Sequence, residues 1–263
     1  MVYMGSKRKY CNDIVPIIQK YIDEHEVMYF VDCFCGGANL ADKINCEHII
    51  CSDLSPTLIA LHQQAQEDFS KIPDDGFRLY WDTAYADWRK IKEATEKGLP
   101  IPETTFPLFA IGSIEWYSSF SNGGFPRGYA KPSCGRNYYQ EAYRNHKKQA
   151  EGDIYKKINF ICADYRSMCP KMEEESNGNV LFYCDSPYKG TKPYGIAPKF
   201  NFDEYYNWLL ETSKKYPLFV SEQELPKEIF EKYIVWEKDT VRTTNKENDF
   251  KACEKLYLID NRI

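Results

Sequence analysis

Five short stretches carry residue types and spacings that could do chemistry. The first, 31-VDCFCGGANLAD-42, ends an apolar run in Asp32 and follows it with Gly36 and Gly37. A strand stopping there would put a carboxylate and free backbone N–H groups at its carboxyl end, where open α/β sheets bind nucleotide-like ligands. The G-x-G-x-x-G fingerprint is absent, which disfavours a pyrophosphate. The second, 48-HIICS-52, runs into Asp53, a carboxylate able to accept from both hydroxyls of a ribose. The bland readings here are a tight turn and a helix cap. The third, 183-YCDSPYKG-190, delivers Asp185, Ser186, Pro187 and Tyr188 from an apolar run. Pro187 keeps Ser186 out of the α region, so the turn is extended and stiff. The Asp185 carboxylate and the Ser186 carbonyl can each accept one N–H of an exocyclic amine, while Tyr188 stacks on the ring that bears it. Read blandly, it is a turn closing a strand. The fourth is Asp164-Tyr165, after 158-INFICA-163: an acceptor for an adenine amino group, or only a strand-to-loop aspartate. The fifth, 4-MGSKRKY-10, is a Gly-Ser turn with three basic residues ahead of a helix. Alone it is a solvated terminus; beside the other four it is a pocket candidate.

Metal chemistry is not indicated. The chain has 10 cysteines but no C-x-x-C, the closest pair being Cys33 and Cys35, and none of its 4 histidines stands near a cysteine pair at ligand spacing. The cysteines read as small buried apolar residues rather than disulfides. A length of 263 residues with 43% hydrophobic and 28% charged residues fits one large α/β domain with an insertion, and excludes wholesale disorder. The longest apolar runs fall far short of the ~18 residues of a membrane span, and no signal-like segment opens the sequence. A cytoplasmic location is expected.

The elements that must hold these stretches follow from periodicity. Residues 12–23 read as a helix with Asn12 at its cap, 28–34 as a buried strand ended by Gly36-Gly37, and 48–52 as a second strand. A helix over 56–69 starts on Pro56. Strand signals return at 158–163, 179–184, 217–221, 233–237 and 255–259, the last two as an antiparallel hairpin at one edge. A mostly parallel sheet with helices between strands is the expected fold. Between them, 71–150 changes character: tryptophan, tyrosine, glycine and basic residues replace the β/α alternation, and three prolines fall in 100–107. It reads as an inserted subdomain of helices and loops. The net charge of −5 argues against a nucleic-acid partner for the chain taken whole. Within 118–148, however, Arg127, Lys131, Arg136, Arg144, Lys147 and Lys148 face a single acid, Glu141. An acidic body with one basic segment fits local phosphate contact.

Taken in order, these pieces resemble the Dam-type (D12 class) DNA adenine-N6 methyltransferases over nearly the whole chain. The resemblance rests on Gly5-Ser6-Lys7 before the first helix; Asp32, Phe34, Gly36 and Gly37; Asp53; 121-SNGGFPRGY-129 in the insertion; Asp164-Tyr165; Asp185-Ser186-Pro187-Tyr188 in place of D-P-P-Y; Val220-Ser221; and a segment from Arg242 to Leu256 ending in E-x-L. It implies a Rossmann-like S-adenosylmethionine-dependent methyltransferase fold, with a mostly parallel seven-stranded sheet and an antiparallel edge strand. It implies a catalytic and cofactor domain over 1–70 and 151–263, and a mainly helical DNA target-recognition domain over 71–150. S-adenosylmethionine is then expected to meet Met4, Gly5, Lys7, Asp32, Phe34, Gly36, Gly37, Asp53, Asp164 and Tyr165. The flipped adenine is expected at Asp185, Ser186, Pro187 and Tyr188. Double-stranded DNA is expected to meet Ser121, Asn122, Arg127, Lys131, Arg136, Arg144, Lys147 and Lys148.

The same resemblance implies a monomer or weak dimer, no metal, GATC as the default target, and a restriction endonuclease as an optional partner. Ser186 stands where the family has its first proline, and Cys33 where a proline commonly follows the acidic residue. Two other readings remain: methylation of an RNA or protein amino group, and an inactive nucleic-acid-binding module on the same fold.

Overall fold

The computed structural model describes all residues except 4, 76–77, 133–136, 178, 190–195, 197–199, 244–248 and 263, with backbone only at 240–243 and 249–252. Met4 and Arg136, and the Arg242 side chain, therefore lie outside the described set.

Helix α1 (Cys11–Glu24) leads into β1 (Tyr29–Asp32), β2 (His48–Asp53) and α2 (Pro56–Glu67). Then come α3 (Arg78–Glu96), α4 (Leu108–Ser118), α5 (Tyr138–Ala150) and α6 (Asp153–Lys157). The chain continues through β3 (Ile158–Cys162), α7 (Tyr165–Glu175), β4 (Val180–Cys184), α8 (Phe202–Ser213), β5 (Leu218–Glu222) and α9 (Lys227–Phe230), and ends in β6 (Ile234–Thr243) and β7 (Asp249–Ile259). The strands form one seven-stranded sheet in the order β3-β2-β1-β4-β5-β7-β6. Strands β1 to β5 pair in parallel, and β7 runs antiparallel to both β5 and β6. This is the Rossmann-like methyltransferase arrangement, with β7 the one reversed strand and β6 closing the edge. The β4 and β5 runs are buried at every position, as strands covered on both faces must be.

Helix α1 starts at Cys11 with Tyr10 in the cap position and no capping side chain, so Asn12 is not the cap. The helix is held instead by its apolar stripe of Ile14, Ile18, Tyr21 and Ile22. The first strand stops at Asp32, and Cys33 and Phe34 already belong to the turn. The final hairpin is longer than its apolar runs suggest, because cross-strand pairing continues from Glu254 out to Asp249.

Two apolar cores cover the two sheet faces. One gathers α1, α2, α5 and α6 with Trp116 and Tyr117 of α4; the other gathers α7 and α8. A third joins Trp81, Trp88 and Ile91 of α3 to Ile111 and Ile114 of α4 and to Phe125. The segment 71–150 therefore divides. Its α5 and the end of α4 share the main core, and only α3 and the loop after α4 pack around a centre of their own. Helices α2 and α4 cross at Gly112, where a Cβ would stand 2.2 Å from the Thr57 carbonyl oxygen. Gly112→Ala must push the two helices apart, and a loss of about 3 kcal/mol or more is expected in urea denaturation. A loss below about 1 kcal/mol would mean that this crossing yields easily.

Candidate active site

Strand order reverses between β1 and β4: the chain builds β2 and β3 on one side of β1, then crosses to the other. In open α/β sheets the crevice above such a point takes the ligand. An acidic residue stands at or just after the end of each parallel strand: Asp32, Asp53, Asp164, Asp185 and Glu222 on β1, β2, β3, β4 and β5. Every described residue expected above to bind the cofactor or the adenine lines one cavity of about 350 Å³ over these ends. Elements separated by more than a hundred residues in sequence thus meet at one place.

The β1 turn is shaped by its glycines. Gly36 adopts φ +48°, and a Cβ on it would stand 2.7 Å from the Tyr3 ring; on Gly37 it would meet the Asn39 amide at 2.6 Å. Asp53 reaches across, accepting from the Gly36 N–H at 3.1 Å and from the Ser55 N–H at 2.9 Å. It therefore ties the two strand ends together as well as facing the cavity. Asp32 accepts from the Phe34 N–H at 3.2 Å. Burial, with Asp185 and Asp53 nearby, pushes its carboxyl well above the usual range against the pull of that N–H and Lys7.

Asp164 caps α7 through the Arg166 N–H and accepts from Nε and Nη2 along one edge of the Arg166 guanidinium, whose Nη1 donates to Glu204 at 2.8 Å. Tyr165 is buried, its ring 5.3 Å from Phe34 and 5.9 Å from Phe200. These rings form an aromatic wall on the cavity.

Opposite it, Lys7 is the one buried residue of the three consecutive bases. Its ammonium donates to Asp185 Oδ1 and to the Tyr188 hydroxyl, and lies 3.4 Å from Glu254 Oε1. Tyr188 in turn donates to Glu254, as does Ser221 at 3.3 Å. Burial raises Asp185 to about 6, with Lys7 pulling down and Glu254 pushing up. Burial likewise raises Glu222 to about 8, against the Gln223 N–H and Lys7. Three buried acids, Asp32, Glu222 and Glu254, and the partly buried Asp185 thus surround one ammonium.

Glu222 and Glu254 received no role from the sequence. The E-x-L element contained Glu254, but only the reversed direction of β7 brings it beside Ser221 and Tyr188. Tyr3, Asn39 and Trp116, which line the cavity itself, were missed too, since no motif marks them.

S-adenosylmethionine fits this cavity by its donor set. The Gly36-Gly37 cradle leaves no room for side chains, the aromatic wall suits a purine, and the surplus of carboxylates suits a sulfonium. The volume lies within the usual range for small-molecule sites. Among the described residues, no group of three or more His, Cys, Asp or Glu side chains is arranged to hold a metal ion. Nor is any described helix long and apolar enough to cross a membrane.

The DNA candidates fall on two elements. Ser121 and Arg127 are exposed on the loop after α4, and Lys131 is exposed just beyond it. Asn122 points inward, its amide donating to the Trp116 carbonyl at 2.8 Å, so it builds the loop. Arg144, Lys147 and Lys148 are exposed on α5, whose other face buries Tyr139, Ala142, His146 and Ala150.

Comparison with known proteins places the chain. The type II methyltransferase M.FokI of Planomicrobium okeanokoites is 26% identical over 206 residues, covering 71% of this chain. The chain spans 28% of that relative's length. Among solved structures, the rRNA methyltransferase aviRa of Streptomyces viridochromogenes overlays 98% of the chain and 87% of its own, at 11% identity and a TM-score of 0.44. A SAM-dependent methyltransferase of Agrobacterium tumefaciens overlays 92% of the chain and 61% of its own, at 8% identity and a TM-score of 0.40. The model of the D12 class N6 adenine-specific DNA methyltransferases matches residues 3–244, so the chain belongs to that family.

Proposed function

We propose that the protein transfers a methyl group from S-adenosylmethionine to the exocyclic amine of an adenine flipped out of a short duplex motif. One observation carries the reading: Asp185-Ser186-Pro187-Tyr188 opens into the same cavity as Asp32, Gly36-Gly37 and Asp53. An amine acceptor and a cofactor turn share one space.

When bound, S-adenosylmethionine supplies a methyl group on a positively charged sulfonium. The chain's residues do the rest. The adenine amine is a poor nucleophile because its lone pair is delocalised into the ring. Asp185 and the Ser186 carbonyl each accept one N–H, which holds the hydrogens out of the ring plane and returns the pair to nitrogen. The contribution is orientation and placed acceptors. Tyr188 stacks on the base and offsets part of its unstacking cost. Glu254 and Lys7 hold the Tyr188 hydroxyl, which fixes the ring. The incoming amine must share Asp185 with Lys7, and Glu254 stands ready to keep the ammonium paired.

The loop after α4 is assigned to DNA, along with the rest of the 71–150 insertion. It grows from the helix whose Trp116 lines the cavity, so DNA bound there lies close to the chemistry. Charge removal at Arg127 and Lys131 is expected to weaken DNA binding and lower the slope of log affinity against log salt by about one for each phosphate no longer neutralised. A titration with an unchanged slope would place the backbone elsewhere. Double-stranded DNA as substrate sets the protein in the cytoplasm at the nucleoid. GATC is the default motif, with a restriction endonuclease as optional partner.

The reading is tested by expressing the protein in a host lacking adenine methylation and mapping N6-methyladenine at single-base resolution. Methylation confined to one short motif is expected. Protein that binds S-adenosylmethionine yet leaves DNA unmarked would transfer the assignment to an RNA or protein amine, or to an inactive module.

A further inference from the structure

Behind the Gly36 turn lies a line of buried polar side chains that methyl transfer does not use. His62 of α2, His146 of α5, Tyr155 of α6 and Tyr117 of α4 are all shut off from solvent. His62 Nε2 lies 2.8 Å from the Gly36 carbonyl oxygen, and His62 Nδ1 lies 2.7 Å from the Tyr155 hydroxyl. The same hydroxyl lies 2.8 Å from His146 Nε2, and His146 Nδ1 lies 2.5 Å from the Tyr117 hydroxyl.

The chemistry of the groups forces one direction on this line. A carbonyl oxygen only accepts, so His62 Nε2 carries the hydrogen. In a neutral ring Nδ1 then accepts, so Tyr155 donates to it. With its hydrogen spent, the Tyr155 oxygen accepts from His146 Nε2. His146 Nδ1 therefore accepts from Tyr117. Every donor has one acceptor, and both imidazole tautomers are fixed. Burial agrees, holding both histidines neutral: His62 is lowered to about 3, and His146 falls well below the ordinary range.

The end of the line is the peptide that shapes the cavity. The Gly36 N–H goes to Asp53 and its carbonyl to His62, so this left-handed residue is clamped on both sides. Gln149 of α5 adds ties to the Gly37 and Ala38 carbonyls at 3.1 and 3.2 Å. The other end is Tyr117, next to Trp116 on the cavity wall and at the root of the loop after α4.

We propose that His62 is a positioning residue for the cofactor turn, and that Tyr155, His146 and Tyr117 act as one unit to fix its tautomer and place it. The proposal rests on the reading of this cavity as an S-adenosylmethionine site. Its residues touch no reacting atom, so cutting the line should alter how well the turn receives the cofactor and leave the transfer step itself alone.

The test removes single hydroxyls while keeping the rings. Tyr155→Phe breaks the line at its centre, leaving His62 Nδ1 and His146 Nε2 without partners. It is expected to raise the S-adenosylmethionine Kd and KM about tenfold, with kcat at saturating cofactor within about twofold of wild type. Tyr117→Phe is expected to raise both about threefold, and to add nothing in the double variant because the line is already cut. Calorimetric binding, steady-state kinetics and melting temperature are measured on the full chain. A lowered melting temperature with unchanged cofactor affinity would make the line merely structural and overturn the proposal. So would effects of the two substitutions that multiply independently. Wild-type protein that fails to bind S-adenosylmethionine would overturn the cavity reading together with this proposal. Wild type that binds, with variants that bind equally well, would overturn this proposal alone.

Discussion

Asp185→Ala is expected to lose methyl transfer by about a thousandfold or more while S-adenosylmethionine binding stays within a few-fold of wild type. In the proposed mechanism Asp185 is the side-chain acceptor that the β4 end presents to the amine, and without it the Ser186 carbonyl alone would not hold both hydrogens out of conjugation. Removing a placed hydrogen-bond group of this kind typically costs 10²–10³-fold in turnover, and the lost orientation adds to that. The substitution also frees Lys7, which still has Glu254 and the Tyr188 hydroxyl as partners, so the ammonium is not stranded. The fold should therefore survive. Asp185→Asn is expected to fall between: its amide oxygen still accepts, but the charge is gone and an N–H donor now competes. Single-turnover methylation with calorimetric cofactor binding on the same samples separates the effects. Near-normal turnover in Asp185→Ala would end the assignment of this motif to the amine.

Much of this site was legible in the sequence because its acids sit at strand ends. Asp32, Asp53, Asp164 and Asp185 each close an apolar run, and a parallel sheet sends all such ends to one edge. Gly36 and Gly37 were legible as a turn for the same reason. What the sequence could not show was pairing across long separations. Glu254 stands 66 residues after Tyr188, and their bond exists only because β7 runs against its neighbours. The line from Tyr117 to His62 joins four helices, and nothing in the spacing of two histidines and two tyrosines predicts it. A shift in composition over 71–150 was visible and was read as an insertion. The sharing of α4 and α5 with the main core was not, since it depends on Gly112 letting α4 lie against α2. The Asn12 cap failed because a favourable cap residue is a weak preference, and the burial of Cys11 and Ile14 set the helix start instead.

Replacing Glu254 by glutamine tests whether the buried acids act on the chemistry or only on the packing. Glu254 Oε1 receives the Tyr188 and Ser221 hydroxyls and stands 3.4 Å from the Lys7 ammonium. Glutamine keeps the shape and an accepting oxygen, so Tyr188 should stay in place. What changes is charge. Lys7 then leans more heavily on Asp185, and the amine must compete with it for that carboxylate. A loss of about tenfold in kcat at pH 8 is expected, the scale of one charge-assisted hydrogen bond. The pH profile gives the sign. Asp185 ionises at about 6, raised chiefly by burial and in part by the negative charge of Glu254. Removing that charge lowers the Asp185 pKa, so the carboxylate survives to lower pH. The acid limb of kcat/KM for DNA, which reports the free enzyme, should stand near pH 6 in wild type and move downward in Glu254→Gln. A limb that stays in place, with kcat lost and the melting temperature lowered, would reduce Glu254 to a packing role.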